Sequence, residues 1–193
     1  MFYFAMNAFT QALAPSATDL IRADHTKVLG AFHRYKMASS PARKHAIVNT
    51  VCLALEVHAQ IEEEIFYPAV RAEHPAIVDK SVPEHAEMRS LIAMLRGMQP
   101  ESEEYDRTFM ELMRAVMHHV ADEETTLLPD AERLLGGELG ELGARMLKRR
   151  LQLMVPRAGE AARYSAGAMP ATPLIVAAGA LLAGAWLFSR RST

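Results

Sequence analysis

A single cysteine, Cys52, in 193 residues excludes disulfide scaffolds and multi-thiolate zinc or iron–sulfur sites within one chain. Charge of one sign is equally scarce. Lys and Arg number 21 against 23 Asp and Glu, giving a formal net charge of −2, so no nucleic-acid partner is expected, because that would call for a basic face. Aromatic residues make up only 7%, so a core must be built mainly from aliphatic side chains. The methionines at 88, 94, 110, 113 and 117 read as filling for it. What is present is a 50% hydrophobic, 23% charged chain, long enough for one domain with a tail. Any metal it holds must be bound by nitrogen and oxygen.

The most informative stretch runs from His58 to Pro68, His-Ala-Gln-Ile-Glu-Glu-Glu-Ile-Phe-Tyr-Pro. On a helix, His58 and Glu62 stand one turn apart on the same face, in phase with the apolar Val51, Leu55, Ile65, Phe66 and Ala69. An imidazole and a carboxylate pointing into a core need a partner, and a metal ion supplies one. The phrase recurs from His119 to Pro129: His58, Glu62, Glu63 and Pro68 map onto His119, Glu123, Glu124 and Pro129 at a constant shift of 61 residues. Upstream of each copy lies an acid–histidine pair, Asp24-His25 and Glu84-His85. One His-x3-Glu is weak evidence, whereas a repeat of this kind indicates a helix pair used twice.

Hydrophobic periodicity predicts an all-α chain whose four helices form an antiparallel up-down-up-down bundle. The first is expected from Thr18 or Asp19 to about Met37, with His25 in its apolar stripe and His33 turned away. The second is expected from about Ala42 to Glu73, with His45 and His74 read as non-ligands near its ends. A capping box, Ser81 with Glu84, is expected to open the third, which runs to about Met98. That places His85 in a first turn, where the positive helix end disfavours imidazolium. The fourth is expected from near Ser102 to about Leu128. Its phase selects His119, beside Leu112, Val116, Glu123 and Leu127, over His118, which shares a face with Glu111, Arg114 and Asp122. Cys52 is read as a buried thiol. Glu63 and Glu124 fall about 100° off the ligand face and read as groups outside the direct donor set.

The ends differ in character. Residues 1–17 carry Phe2, Tyr3, Phe4 and Phe9 but no basic n-region, and read as an irregular arm rather than an export signal. Residues 18–135 are the expected bundle. Residues 136–168 read as a basic amphipathic linker, and residues 169–189 as a transmembrane tail helix, with Trp186, Arg190 and Arg191 as interfacial anchors. The expected localisation is therefore membrane-anchored by the C-terminal helix, with the bundle on the cytoplasmic side. Small-x3-small pairs such as Gly179 and Ala183 would let tails associate, giving a homo-oligomer.

These residues resemble the hemerythrin-like family, also called the HHE cation-binding domain. The resemblance covers about residues 18–135 and rests on Asp24-His25, His58-x3-Glu62-Glu63, Glu84-His85 and His119-x3-Glu123-Glu124. It implies a four-helix bundle around two iron ions bridged by carboxylates and an oxo or hydroxo group, with manganese as the alternative metal. The implied ligands are His25, His58, Glu62, His85, His119 and Glu123. Where the oxygen carriers of the family have a further histidine one turn after the third-helix ligand, this chain has Arg89. The implied function is a non-haem di-iron protein that binds or senses dioxygen, nitric oxide or peroxide, or handles iron at a membrane. The alternatives are a di-iron enzyme consuming peroxide or nitric oxide, an iron donor for iron–sulfur cluster repair, and a metal-free structural bundle.

Overall fold

The computed structural model describes residues 15–168, and among them every regular element is helical. Helix α1 (Ala17–Arg34) starts at a reciprocal cap. Ser16 Oγ accepts the Asp19 N–H at 3.1 Å, and the Asp19 carboxylate accepts the Ser16 N–H at 3.3 Å. Helix α2 (Pro41–Ile61) is capped by Ser40, with Pro41 at its first position, where a missing N–H costs nothing.

The repeated prolines reshape the helices that carry the repeated motif. A single α-helix was expected through Pro68, but Glu62–Phe66 forms a π-helical turn that leads into the short α3 (Tyr67–Val70). Proline lacks an N–H, and in an α-turn its ring would collide with the carbonyl four residues back. Widening the turn by one residue relieves this, and Tyr67 N–H donates to the Glu62 carbonyl five residues back. The second copy behaves alike. Helix α5 (Glu103–Asp122), capped by Ser102, passes into a π-turn at Glu123–Leu127, where Leu128 N–H donates to the Glu123 carbonyl, and continues as α6 (Leu128–Leu135).

The expected capping box at Ser81 is not formed. Helix α4 spans Pro75–Gly97, so Ser81 lies inside it and donates its hydroxyl to the Ile77 carbonyl at 3.0 Å. Pro75 supplies the earlier start at the N-terminal position that tolerates proline, and Pro83 is carried within the helix. His85 therefore sits well inside α4, so the positive helix end is not what keeps its imidazole neutral. Residues 136–168, read from sequence as a linker, contain α7 (Leu139–Met154), a 3₁₀ turn (Val155–Arg157) and α8 (Ala158–Ala168). Helix α7 packs on α1, and α8 on α2.

Two apolar clusters bracket a polar layer. One holds Val28, Phe32, Leu55, Met88, Phe109 and Val116, and the other Ile21, Ile61, Phe66, Val78, Leu127 and Met146. His25, His58, His85 and His119 fall between the two along their helices. Of the methionines read as core, Met88 is buried and Met113 packs against the first cluster, but Met94, Met110 and Met117 are exposed.

The expected membrane anchoring is overturned: among the described residues no helix is long and apolar enough to cross a membrane. The tail at 169–189 on which that expectation rested, and the arm up to residue 14, lie outside the described residues.

Close approach of α7 to the start of α1 depends on Gly143, where a Cβ would lie 2.2 Å from the Pro15 carbonyl oxygen and 2.9 Å from the Ala17 nitrogen. Backbone cannot yield as a side-chain tip can. Gly143→Ala should lower unfolding free energy by about 1–3 kcal/mol, the usual cost of overpacking. Gly159→Ala, with nothing within 4 Å, should be neutral or raise it by up to about 1 kcal/mol. Urea unfolding of both variants checks the contrast.

Candidate metal centre

The six side chains singled out from sequence converge. His25 from α1, His58 from α2, Glu62 and Glu123 from the two π-turns, His85 from α4 and His119 from α5 are all buried. They form two overlapping groups, His25, His58, Glu62 and Glu123, then Glu62, His85 and His119, with the donor atoms of each group within 4.8 Å of one another. Each glutamate lies between a histidine of its own helix and one from elsewhere. Glu62 Oε2 is 3.2 Å from His58 Nε2 and 3.5 Å from His85 Nε2. Glu123 Oε2 is 3.3 Å from His25 Nε2 and 3.5 Å from His119 Nε2. His33, His45 and His118 are exposed, and His74 sits apart near Asp130 at 3.4 Å.

Outside the donors stands a ring of four half-buried carboxylates, one for each imidazole. His25 Nδ1 is 2.8 Å from Glu124, His85 Nδ1 3.0 Å from Glu63, and His119 Nδ1 3.0 Å from Glu84. His58 Nδ1 faces Asp24 at the longer distance of 3.5 Å. The acid of each sequence pair does not serve its neighbour. Asp24 on α1 faces His58 on α2, and Glu63 after α2 faces His85 on α4. Glu84 on α4 then faces His119 on α5, and Glu124 after α5 faces His25 on α1. The ring closes. A carboxylate at Nδ1 selects the Nδ1–H tautomer and leaves the Nε2 lone pair pointing inward.

That selection tests whether a metal fits. With Nδ1–H donated outward, His85 Nε2 and His119 Nε2, 3.1 Å apart, face each other lone pair to lone pair. His25 Nε2, His58 Nε2, Glu62 Oε1 and Glu123 Oε2 are buried without a hydrogen-bond partner. Orphaned acceptors converging on one another are costly unless a cation satisfies them, so the donor set fits a metal.

The charges point the same way. Burial pushes the Glu62 carboxyl well above its ordinary value, and the facing Glu123 charge adds to this. Glu123 is also buried, but its contact with His25 outweighs burial and holds its carboxyl below the ordinary value. Burial, reinforced by His119 and His58, holds His85 down to about 2. Burial likewise lowers His58 against the pull of Asp24. In His25, burial is outweighed by Glu123 and Glu124 and the value rises. Two facing carboxylates cannot both ionise comfortably here without added positive charge.

Sequence reasoning did not place Tyr67. Its hydroxyl donates to Glu123 Oε1 at 2.8 Å and lies 3.4 Å from His85 Nε2, and its ring stacks on that imidazole with centroids 5.6 Å apart. In an uninterrupted α-helix Tyr67 would lie about 140° from Glu62. The π-turn brings the two back together. The one available signal was Pro68, which forces that turn. Tyr35 is instead held by Asp106. Cys52 is buried as expected, its thiol pushed up to about 12 by burial.

The profile of the Hemerythrin HHE cation binding domain matches residues 16–155. The chain belongs to that family. It is 27% identical over 145 residues to an uncharacterized protein, Rv2633c, of Mycobacterium tuberculosis, covering 72% of this chain and 87% of that one. It is also 30% identical over 131 residues to a DNA nickase of Nostoc sp., covering 67% of this chain but only 37% of that relative's length. The crystal structure of an HHE cation-binding domain protein, an Rv2633c homolog from Mycobacterium kansasii, superposes with a TM-score of 0.62. At 20% identity, over 79% of this chain and 99% of that one, the superposition establishes a shared fold.

The low value of His85 has a measurable consequence in metal-free protein. Folded His85 stays unprotonated down to about pH 2, whereas an unfolded imidazole takes a proton near 6.5. The unfolded state therefore binds the extra proton, and stability present above about pH 6.5 is lost as pH falls through that window. The drop in unfolding free energy between pH 7.5 and 5.0, obtained from urea titrations, should be smaller in His85→Gln than in the parent, by up to about 1.4 kcal/mol per pH unit below about 6.5.

Proposed function

We propose that this family member holds a non-haem pair of iron ions, with manganese as the alternative, on His25, His58, His85, His119, Glu62 and Glu123, and that it binds or senses a small ligand of the dioxygen, nitric oxide or peroxide class. We read α1, α2, α4 and α5 as the antiparallel bundle that carries this centre. The reading is carried by the closed donor set, in which His25, His85 and His119 are each hydrogen-bonded to a carboxylate at the outer nitrogen and His58 faces Asp24 at 3.5 Å. Glu62 and Glu123, each between two histidines of different helices, would be the carboxylates shared by the two ions. Mixed imidazole and carboxylate donors suit iron or manganese over softer metals.

Bound iron supplies one-electron chemistry and coordination positions open to small ligands. The protein supplies the rest. A cavity of about 10 Å³ adjoins the donors, lined by His25, His58, His85, His119 and by apolar groups such as Val28 and Ile92. That is at the threshold for one water-sized molecule, which favours a diatomic or peroxide over an organic substrate. Tyr67 holds a proton on its hydroxyl beside Glu123 and His85; burial and the two glutamates push its ionisation far up, so it acts as a donor of hydrogen bonds.

Anaerobic loading with Fe(II), followed by metal analysis and optical spectra with and without nitric oxide, tests the reading. About two irons per chain are expected, with an absorption change on adding nitric oxide. Glu62→Ala should lose most of the bound iron. Iron-free protein after loading, or iron retained undiminished by Glu62→Ala, refutes the assignment. Peroxide turnover by the loaded protein would make it an enzyme rather than a carrier or sensor.

A further inference from the structure

Of the four outer carboxylates, Asp24 has the longest reach to its imidazole, 3.5 Å against 2.8–3.0 Å for the others. It is also gripped from beyond the donor-bearing helices. Arg150, on α7, meets Asp24 with both terminal guanidinium nitrogens, Nη1 lying 2.9 Å from Oδ1 and Nη2 against Oδ2. The side chains are only 18% and 13% exposed, so the pair is largely withdrawn from water. A withdrawn ion pair is retained only with good geometry, and the two-pronged arginine–carboxylate contact provides it. Leu142, Met146 and Arg150 stand at four-residue intervals on α7, and the first two are buried in the end cluster that also holds Ile21 of α1. The apolar stripe thus delivers the guanidinium to Asp24. The neighbouring Arg149 turns away and pairs with exposed Glu64 at 2.6 Å.

We propose that Arg150 is a positioning residue of the metal site. By fixing the plane of the Asp24 carboxylate it sets the orientation of His58 and the tautomer that leaves Nε2 inward, so α7 is a working part of the centre. The proposal rests on the di-iron reading and adds to it a residue outside the repeated motif. Bidentate contact occupies one lone pair on each Asp24 oxygen and leaves a second on Oδ2 free toward His58 Nδ1, which lies 3.5 Å away with no other partner. A lysine at 150 would neutralise Asp24 but could not fix its plane.

The test uses full-length chains. Fe(II) affinity is measured anaerobically by chelator competition, and ring ¹⁵N shifts of the histidines are recorded on metal-free protein. Arg150→Leu should weaken Fe(II) binding by about 10–100-fold, the usual effect of losing a partner behind a ligand histidine. It should also move the His58 ring shifts while leaving those of His85 in place. Arg150→Lys should fall between parent and Arg150→Leu, and Arg149→Leu should match the parent in both measurements. The proposal is overturned if Arg150→Leu binds Fe(II) as tightly as the parent with His58 unshifted, or if Arg149→Leu weakens binding equally, which would assign the effect to α7 packing. Should the parent take up no Fe(II), the di-iron reading fails, while the His58 shifts still report whether Arg150 reaches that ring.

Discussion

Six ionisable side chains share the middle of an otherwise apolar core, and the rest of the structure answers the electrostatic problem this creates. Imidazole lone pairs and carboxylate oxygens that point at one another repel, and a dry interior offers no water to screen them. The protein meets half of the problem itself by placing an acid at the outer nitrogen of each histidine. The other half, the inward-facing acceptors, is left for a cation. This division accounts for why His25, His58, His85 and His119 are nearly inaccessible while Asp24, Glu63, Glu84 and Glu124 keep one edge toward solvent.

The outer ring also explains why the sequence carries acids in two different registers around its histidines. Asp24 and Glu84 precede a histidine directly, and Glu63 and Glu124 follow one by five residues. Within one helix neither register brings acid and imidazole together. Between helices both do, because an acid next to a donor points toward the adjacent helix. Each helix thereby orients its neighbour's imidazole. The buried layer is cooperative in this sense: displacing one helix disturbs an imidazole of its own and the support of another.

Much of this was legible in sequence because helical phase depends only on spacing. The shift of 61 residues, the choice of His119 over His118 and the burial of all six donors follow from periodicity and from the aversion of the core to unpaired polarity. Three features were not legible, each for a physical reason. Ser81 with Glu84 has the pattern of a cap, but Pro75 supplies an earlier start and Glu84 is engaged by His119. Tyr67 was out of phase until the π-turn ahead of Pro68 rotated it inward. Arg150 lies in a stretch whose basic composition suggested a linker, and only its three-dimensional position 126 residues from Asp24 in sequence gives it a partner. Local spacing determined what faces the core, whereas contacts between distant elements were beyond it.

The duplication is nonetheless imperfect, and the differences gather on one side. At the position of Tyr67 the second copy has Leu128, so only one glutamate receives a short phenolic hydrogen bond, Glu123 at 2.8 Å. Arg89 holds Glu63 at 2.8 Å, and Arg150 holds Asp24, whereas among the described residues Glu84 has only Lys80, at 3.5 Å, and the exposed His118 beside it. An arginine-paired acid polarises its imidazole less than an unpaired one. The His58 and His85 rings are therefore backed by neutralised acids, and the His25 and His119 rings by more fully charged ones. Since His25 and His58 belong to one group and His85 and His119 to the other, each group receives one strong and one weak imidazole donor. Tyr67 then breaks the remaining equivalence by lying against His85. Two nearly symmetric halves thus yield two chemically distinct sets of donors, so the duplicated sequence does not build a duplicated environment.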